Sequence, residues 1–520
     1  MTQTKYVKST ATSLLFLFAI AFGLASPAYA QFTSGFTGVV TEQSGAAVAG
    51  AKVTVINQAT GVSQYAVASG AGDFRVPSLP GGIYTIQVDA SGFKQWEQKG
   101  VQLESNQVKT LYPSLALPTE TTNVEVSSAV AAVETDRSET TREISQMSIE
   151  NAPLLGRNIY TSMIELAPGV TGSGLPSGGA LGSGSANNDS FEQEAGYQIN
   201  AAGQRQENNE YDVDGAAVNS ASRDGVVNLS PEPDFIQAVR ISGATFDASK
   251  GRYSGAYVQV FTKPGTDQFH GTLSEYHTDN ALTARTIFQY CAPGDTGCRA
   301  IPAFRRNEFG GTFGGPILKN KLFVFGGAFK LLSSNATTDN TVVETQDFAQ
   351  YVATNFPNSI ANSFLSNAKP TIYPTTNIQT VSQVEANNPG IASSASFPAD
   401  LPVVGSISLP LSLTHNAYQW HFRVDYNVNE SKDRLFFDLF RTYSDQLQED
   451  ARSIYRVVVP NTGFYSKIDW THTFSPTLLN EAGFTVVRAV GSNPGTSQHR
   501  DLPNAVITGV DNGFSQWGPA

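Results

Sequence analysis

The chain has 520 residues and a formal net charge of −12, with 40% hydrophobic and only 15% charged residues. An acidic chain without a basic stripe excludes nucleic acid as a partner on electrostatic grounds. The 46 glycines and 31 phenylalanines, set against few charges, indicate β-rich structure with tight turns and aromatic girdles.

Residues 1–30 read as a secretory signal peptide. Lys5 and Lys8 precede an apolar run from Leu14 to Leu24, and Ala28-Tyr29-Ala30 supplies a cleavage site. The run is too short for a membrane-spanning helix, and no later stretch reaches the roughly 18 apolar residues such a helix needs. The mature chain is expected to begin near Gln31.

Residues 31–117 read as a small antiparallel β-sandwich. The expected strands are Phe36–Thr41, Ala51–Asn57, Tyr65–Ala68, Asp73–Val76, Ile83–Val88 and Val108–Leu117. Val53 and Val55 alternate with Lys52 and Thr54, and glycine turns at Ser69-Gly70, Leu79-Pro80-Gly81-Gly82 and Ser91-Gly92 punctuate them. The segments "GVVTEQSGAAVAGAKVTVINQATG" and "LPGGIYTIQVDASGFK" resemble the carboxypeptidase regulatory-like domain of the carbohydrate-binding-like fold group. The resemblance implies no peptidase activity, since no HExxH or paired zinc ligands accompany it. A rigid periplasmic spacer is favoured over a glycan site, for which Phe93 and Trp96 are the candidate contacts.

Residues 118–142, rich in Thr, Ser and Glu, suit a mobile linker. Within it, Val124-Glu125-Val126 is a short β-prone island. Such an island can add to a partner's sheet edge, or be an ordinary linker strand.

Residues 143–265 read as an α+β domain. Ile159, Met163 and Leu166 have helical spacing, with Pro168-Gly169 as a stop. The Gly/Ser-rich run after Gly172 is expected to be mobile, and it lacks the features of a phosphate loop. "YQINAAGQRQENNEYDVDG" predicts strand, turn, strand, and the stretch from Pro233 to Gly271 predicts two more. Asp212-Val213-Asp214-Gly215 lacks the distal ligands of a calcium loop, so a turn with a solvated Asp is expected.

From residue 266 to 520 the pattern is period two with unlike faces. Tyr418, Trp420, Phe422, Val424, Tyr426 and Val428 share one parity, and His415, Gln419, His421, Arg423, Asp425 and Asn427 the other. Leu435, Phe437, Leu439 and Tyr443 repeat it, as do Phe464, Ile468, Trp470 and Phe474. Seven strands are expected, centred on Leu273, Phe313, Phe325, Phe422, Leu439, Ile468 and Phe484, each near the ~9–11 residues of a tilted membrane crossing. Charges inward and aromatics outward suit an outer-membrane barrel with a wet interior. A polar insert from Leu331 to Leu413, with a short helix over Asp347–Phe356, is expected as an extracellular loop: a lid, or a variable surface loop.

"NAAGQRQENNEYDVDG", "GRYSGAYVQVFTKPGTDQFHG" and "RRNEFGGTFGGPILKNKLFVFGG" together resemble successive blocks of the Oar-like TonB-dependent outer-membrane receptors. The fold class expected is therefore mainly β: a small β-sandwich, an α+β plug domain, then the first strands of a transmembrane β-barrel. The resemblance implies uptake of a large extracellular ligand, unidentified and possibly carbohydrate, into the periplasm. It also implies an outer-membrane location with the N-terminal domain in the periplasm, contact with lipid, and coupling to a TonB-type protein through Val124, Glu125 and Val126. A plugged barrel needs about 22 strands, so the barrel is expected to be incomplete in this chain. The alternatives are an adhesion or secretion-related barrel protein, or a carbohydrate-binding module on a membrane anchor.

No enzymatic activity, cofactor or metal is expected. Cys291 and Cys298 are a candidate loop disulfide after export, and no neighbouring ligands favour a metal instead. His415 and His421 share a strand face and are expected as solvated lumen residues. Ser254 and Ser274 have no evident His/Asp partners.

Overall fold

A computed structural model describes residues 34–117 and most of 141–491. Between 141 and 491 it omits 153, 155, 163–166, 177–188, 192, 194, 222–223, 244–252, 285–302, 389–396, 430–431, 449–450, 453–456 and 476–477. The expected signal peptide lies outside the described residues, as does most of the Gly/Ser-rich run.

The N-terminal sheets follow the alternation of their apolar residues. One has the order β5 (Asp73–Val76), β1 (Gly35–Val39), β8 (Val108–Leu111). The other has the order β4 (Ser63–Val67), β3 (Lys52–Asn57), β6 (Gly82–Asp89), β7 (Trp96–Leu103). In β3, Val53, Val55 and Asn57 are buried while Lys52 is exposed. One core cluster joins the two sheets, with Phe36 set edge-on to Tyr84 at 5.5 Å. Two features differ from the sequence reading. Strand β7 was not anticipated, and β1 pairs with β8 in parallel, as does β2 (Thr41–Glu42) with β9 (Ser114–Leu115).

The central region is a mixed sheet of order β10 (Thr141–Ser145), β16 (Ile236–Ser242), β17 (Tyr257–Thr262), β13 (Glu210–Val213), β14 (Ala216–Ala217). Beside it lies a second sheet of β11 (Val170–Pro176), β12 (Ala195–Ala201) and β15 (Val226–Val227). Ser145 caps a short helix, α1 (Gln146–Asn151), by accepting from the Ser148 N–H. The helix expected around Ile159 is described over four residues, α2 (Ile159–Ser162).

The large sheet runs β18 (His270–Asp279), β19 (Phe304–Leu318), β20 (Leu322–Glu344), β22 (Pro402–Val428), β23 (Asp433–Gln448), β24 (Val457–Ser475), β25 (Leu478–Gly491), each antiparallel to the next. Each of the seven expected centres falls in its own strand. Tyr418, Trp420, Phe422, Leu435, Ile468, Trp470, Phe474 and Phe484 stand exposed on one face. That apolar band is far larger than a water-facing surface carries. Short links join the hairpins at one end (319–321, 429–432, 476–477) and long ones at the other (280–303, 345–401, 449–456), the periplasmic and extracellular ends of such a sheet. The N-terminal sheets meet the short-link end, where the Asp267 N–H donates to the Ala59 carbonyl at 2.9 Å. Among the described residues the sheet is open, with β18 and β25 at its edges.

Two strands greatly exceed the length of a membrane crossing. β20 has 23 residues and β22 has 27, so the insert shrinks to 345–401. It holds α3 (Gln346–Asn355), as expected, with α4 (Ile360–Asn367), α5 (Val381–Asn387) and β21 (Thr376–Thr380), which pairs with β22.

Candidate functional site

The central region and the inward face of the large sheet share one apolar core. Tyr160, Tyr197, Val213, Phe235 and Val239 from the former pack with Phe325, Phe329, Phe440 and Tyr465 from the latter. Phe235 lies edge-on to Phe329 at 5.5 Å. It fits because residue 327 is glycine: a Cβ there would stand 2.7 Å from the Phe235 ring. The aromatics of β20 therefore face inward, where the central region packs against them.

Charged groups are embedded in this interface in two clusters. Toward the extracellular end, the Arg157 guanidinium donates to Glu232 at 2.5 Å, Asp234 at 2.5 Å and Glu308 at 2.6 Å. It also lies 3.5 Å from the centre of the Tyr276 ring. Arg157 has φ 57° and follows Gly156 at φ 61°, a left-handed backbone that most residues avoid. Arg306 donates to Glu308 at 2.7 Å and sits 3.5 Å from Asp189. His415 Nε2 is 3.1 Å from the same Asp189 carboxylate. Ser190 donates to Glu232, whose N–H donates to Gln419 Oε1 at 2.7 Å.

Nearer the periplasmic end, Arg423 donates to both oxygens of Asp425, at 2.7 and 3.0 Å, and to the Thr262 carbonyl at 2.8 Å. Asp214 accepts from the Thr262 hydroxyl at 2.6 Å and its N–H at 3.1 Å. Lys467 donates to the Asp214 carbonyl at 2.7 Å, and Tyr465 to that of Val213 at 2.9 Å. The β13–β14 hairpin is thus gripped by β24. A buried charge is tolerated only when paired and hydrogen-bonded, and these groups are.

Three expectations are corrected here. The Asp212-Val213-Asp214-Gly215 stretch is a turn, with φ 47° at Asp214 and 79° at Gly215, but both aspartates are buried. Asp212 accepts from Tyr257 and Gln259. His415 and His421 face inward as expected yet are not solvated, because the central region excludes water; His421 Nε2 is 2.6 Å from Asp438. The same filling replaces the wet interior with a packed one.

Of the residues singled out from sequence, Val124, Glu125, Val126, Cys291 and Cys298 lie outside the described residues. Phe93 and Trp96 are half-buried and pack against the sandwich core. Arg157, Asp189, Glu232, Arg306 and Glu308 were not singled out. The available signal was the parity of Arg306 and Glu308 in β19, opposite to Phe309 and Phe313. No group of three or more metal-ligating side chains occurs among the described residues.

Residues 35–118 match the carboxypeptidase regulatory-like domain family, and residues 261–519 the outer membrane beta barrel domain family. The TonB-dependent transporter Oar of Myxococcus xanthus is 28% identical over 312 residues, 58% of this chain. The chain spans 27% of that protein's length. Among solved structures, the outer membrane transporter YddB from Escherichia coli is 12% identical with a TM-score of 0.40, over 67% of this chain and 39% of its own. The siderophore receptor PirA from Acinetobacter baumannii is 13% identical with a TM-score of 0.30, over 66% and 47%. A carboxypeptidase regulatory-like domain ahead of an outer membrane beta barrel domain makes this a bacterial outer-membrane β-barrel protein, similar to the TonB-dependent transporter Oar.

Proposed function

We propose that the central region is a plug whose movement admits a large extracellular ligand to the periplasm. A TonB-type protein would supply the work by gripping Val124-Glu125-Val126 from the periplasmic side, where the sandwich also lies. An outer membrane has no ATP of its own, so such movement needs a coupled partner.

The observation that supports this reading is the chemistry of the plug–barrel contact. A permanently fixed plug is held at least as well by apolar packing, because buried ion pairs are often neutral or unfavourable against hydrophobic replacements of equal volume. Here, beside the shared apolar core, Arg157, Arg306 and Arg423 add discrete bonds across the contact, to Glu308, to Asp189 and to the Thr262 carbonyl. Such bonds part and re-form in defined steps. The linker leads directly into β10, an edge strand with β16 as its sheet neighbour, so force along the linker reaches the plug at its least supported strand.

The test does not require the ligand. Val124→Cys in cells with a cysteine-bearing TonB-type protein is expected to give a disulfide-linked product, and Ser138→Cys, outside the segment, none. Absence of any product at Val124, Glu125 and Val126 would remove this segment from the mechanism.

A further inference from the structure

The regulatory-like sandwich touches the plug through a contact too specific for a spacer. The plug sheet presents one polar row on the face opposite its apolar core. Glu143 of β10 stands beside Arg240 of β16, Arg240 beside Gln259 of β17, and Gln259 beside Asp212 of β13. One side chain from each of four adjacent strands therefore lines up across the sheet. The tip of the sandwich, residues 104–107, sits on this row.

Every member of the contact has a defined partner. Arg240, only 2% exposed, donates to the carbonyls of Ser105 at 3.0 Å and Asn106 at 3.2 Å, and to the Thr141 hydroxyl at 3.3 Å. The Ser105 N–H donates to Glu143 at 3.2 Å, and the Asn106 amide to Gln259 at 3.3 Å. Nearby, Gln237 donates to the Gly81 carbonyl at 3.2 Å. The tip is braced from within the sandwich. Gln107 accepts from the Glu104 N–H at 2.8 Å, and the Asn106 N–H donates to Ser34 at 2.6 Å. Asn106 itself takes φ 58°, a left-handed geometry that asparagine tolerates better than most residues. Its carbonyl and that of Ser105 both reach the one guanidinium, whose rigid fork suits two acceptors.

We infer that the sandwich is a latch on the plug: its 104–107 tip, docked on the Glu143–Arg240–Gln259–Asp212 row, holds the edge strand β10 in the sheet. Two side chains of β10 take part, Thr141 through Arg240 and Glu143 through Ser105. Withdrawal of β10 breaks both at once and frees the sandwich. Conversely, a docked sandwich resists the loss of β10. The docking stands on the contact alone; its role in gating transport rests on the plug reading above.

Hydrogen exchange of the protein in detergent micelles tests this without a ligand or a TonB-type partner. Arg240→Met keeps the length of the side chain but removes its donors. Asn106→Gly keeps the left-handed backbone but removes the bond to Gln259. In both variants, exchange is expected to rise at least tenfold in the 104–107 tip and in β10 together. Strands β3 and β6 of the sandwich, and β22 to β24 of the barrel, should be unchanged, which shows that both bodies remain folded. Unchanged exchange in the tip, or a loosened tip with β10 unaffected, would overturn the latch. Because the assay omits the coupling protein, a failed Val124 contact would leave these outcomes readable.

Discussion

Arg157 ties the plug to Glu308 and Tyr276 of the barrel, and its removal has a calculable consequence. Two guanidiniums, Arg157 and Arg306, face the four carboxylates of Asp189, Glu232, Asp234 and Glu308. The formal charge of these six groups is 2 − 4 = −2, and Arg157→Met makes it −3. Glu232 and Glu308 are completely buried. Taking one partner from a buried ion pair costs about 3–5 kcal/mol, and two such carboxylates lose a partner here, so the upper part of that range applies. Met retains the packing over Tyr276 better than Ala would. The assay is the protection of the β16 and β17 amides against exchange at pH 7.5, which reports the plug without the barrel. Protection should fall by about 4–5 kcal/mol. Arg157→Met with Glu232→Gln, which removes the negative charge left without its ion-pair partner, should recover about half of it. A loss below about 1 kcal/mol, typical of an exposed pair, would refute the reasoning. So would a double variant no better than the single one.

Three further outcomes follow from other parts of the molecule. Phe422 faces outward between Gly326 and Leu439, so Phe422→Arg should destabilise membrane insertion by about 2–4 kcal/mol, measured by urea titration in lipid vesicles; no change would place Phe422 outside the lipid belt. Arg452 is buried in the extracellular cap, donating to Glu344 at 2.5 and 2.9 Å and to the Ala368 carbonyl; Arg452→Met should speed proteolysis within 345–401 while leaving barrel melting unaltered. At the sandwich–plug contact, burial pushes the Glu143 carboxyl up to about 7, reinforced by Glu104 and opposed by Arg240 and the Ser105 N–H. A raised carboxyl favours the protonated form when docked, so the contact is tightest in acid and weakens as pH rises from about 4.5 through 7, by at most about 3 kcal/mol. Exchange of β10, corrected for its intrinsic rate, should therefore increase between pH 5 and 7.5, and the increase should vanish in Glu143→Gln.

What the sequence revealed and what it hid divide along a physical line. The seven large strands were legible because lipid and protein interior are unlike surroundings, so residues such as Trp420 and His421 must alternate. Where β20 and β22 run beyond the membrane, Ser333–Glu344 and Pro402–Leu413 no longer separate two such media. The ladder continues from Ala336 opposite Ser412 to Glu344 opposite Val404, but over Ser333–Thr341 β20 is polar on both parities, and the alternation kept by Ile407, Leu409 and Leu411 of β22 serves a small separate cluster with Val343 and Ala451. Strand β7 was missed for a related reason: Glu97, Gln98, Lys99 and Gly100 are polar or flexible, Gly100 has φ 73°, and the register slips opposite Tyr84 and Ile86.

Buried charge was illegible because its meaning depends on partners far along the chain. Lys467 and the Asp214 carbonyl are 253 residues apart, and Gln419 and the Glu232 N–H 187. Parity alone correctly turned Lys467, Arg423 and His421 inward, but it left open whether water or protein met them there. The deciding fact is that the plug presents two kinds of surface. Phe235 and Tyr160 belong to an apolar core that needs the inward aromatics of β20, β23 and β24. The Asp212–Gly215 hairpin and the Asp189–Ser190 turn carry acceptors that need the cations and amides of β19, β22 and β24. A barrel wall made only of polar inward residues would leave Phe235 facing charge, and one made only of aromatics would strand Asp189 and Asp214 in apolar surroundings at a cost of several kcal/mol each. The mixed inward face is therefore the imprint of this particular plug, which is why neither half of the interface can be read without the other.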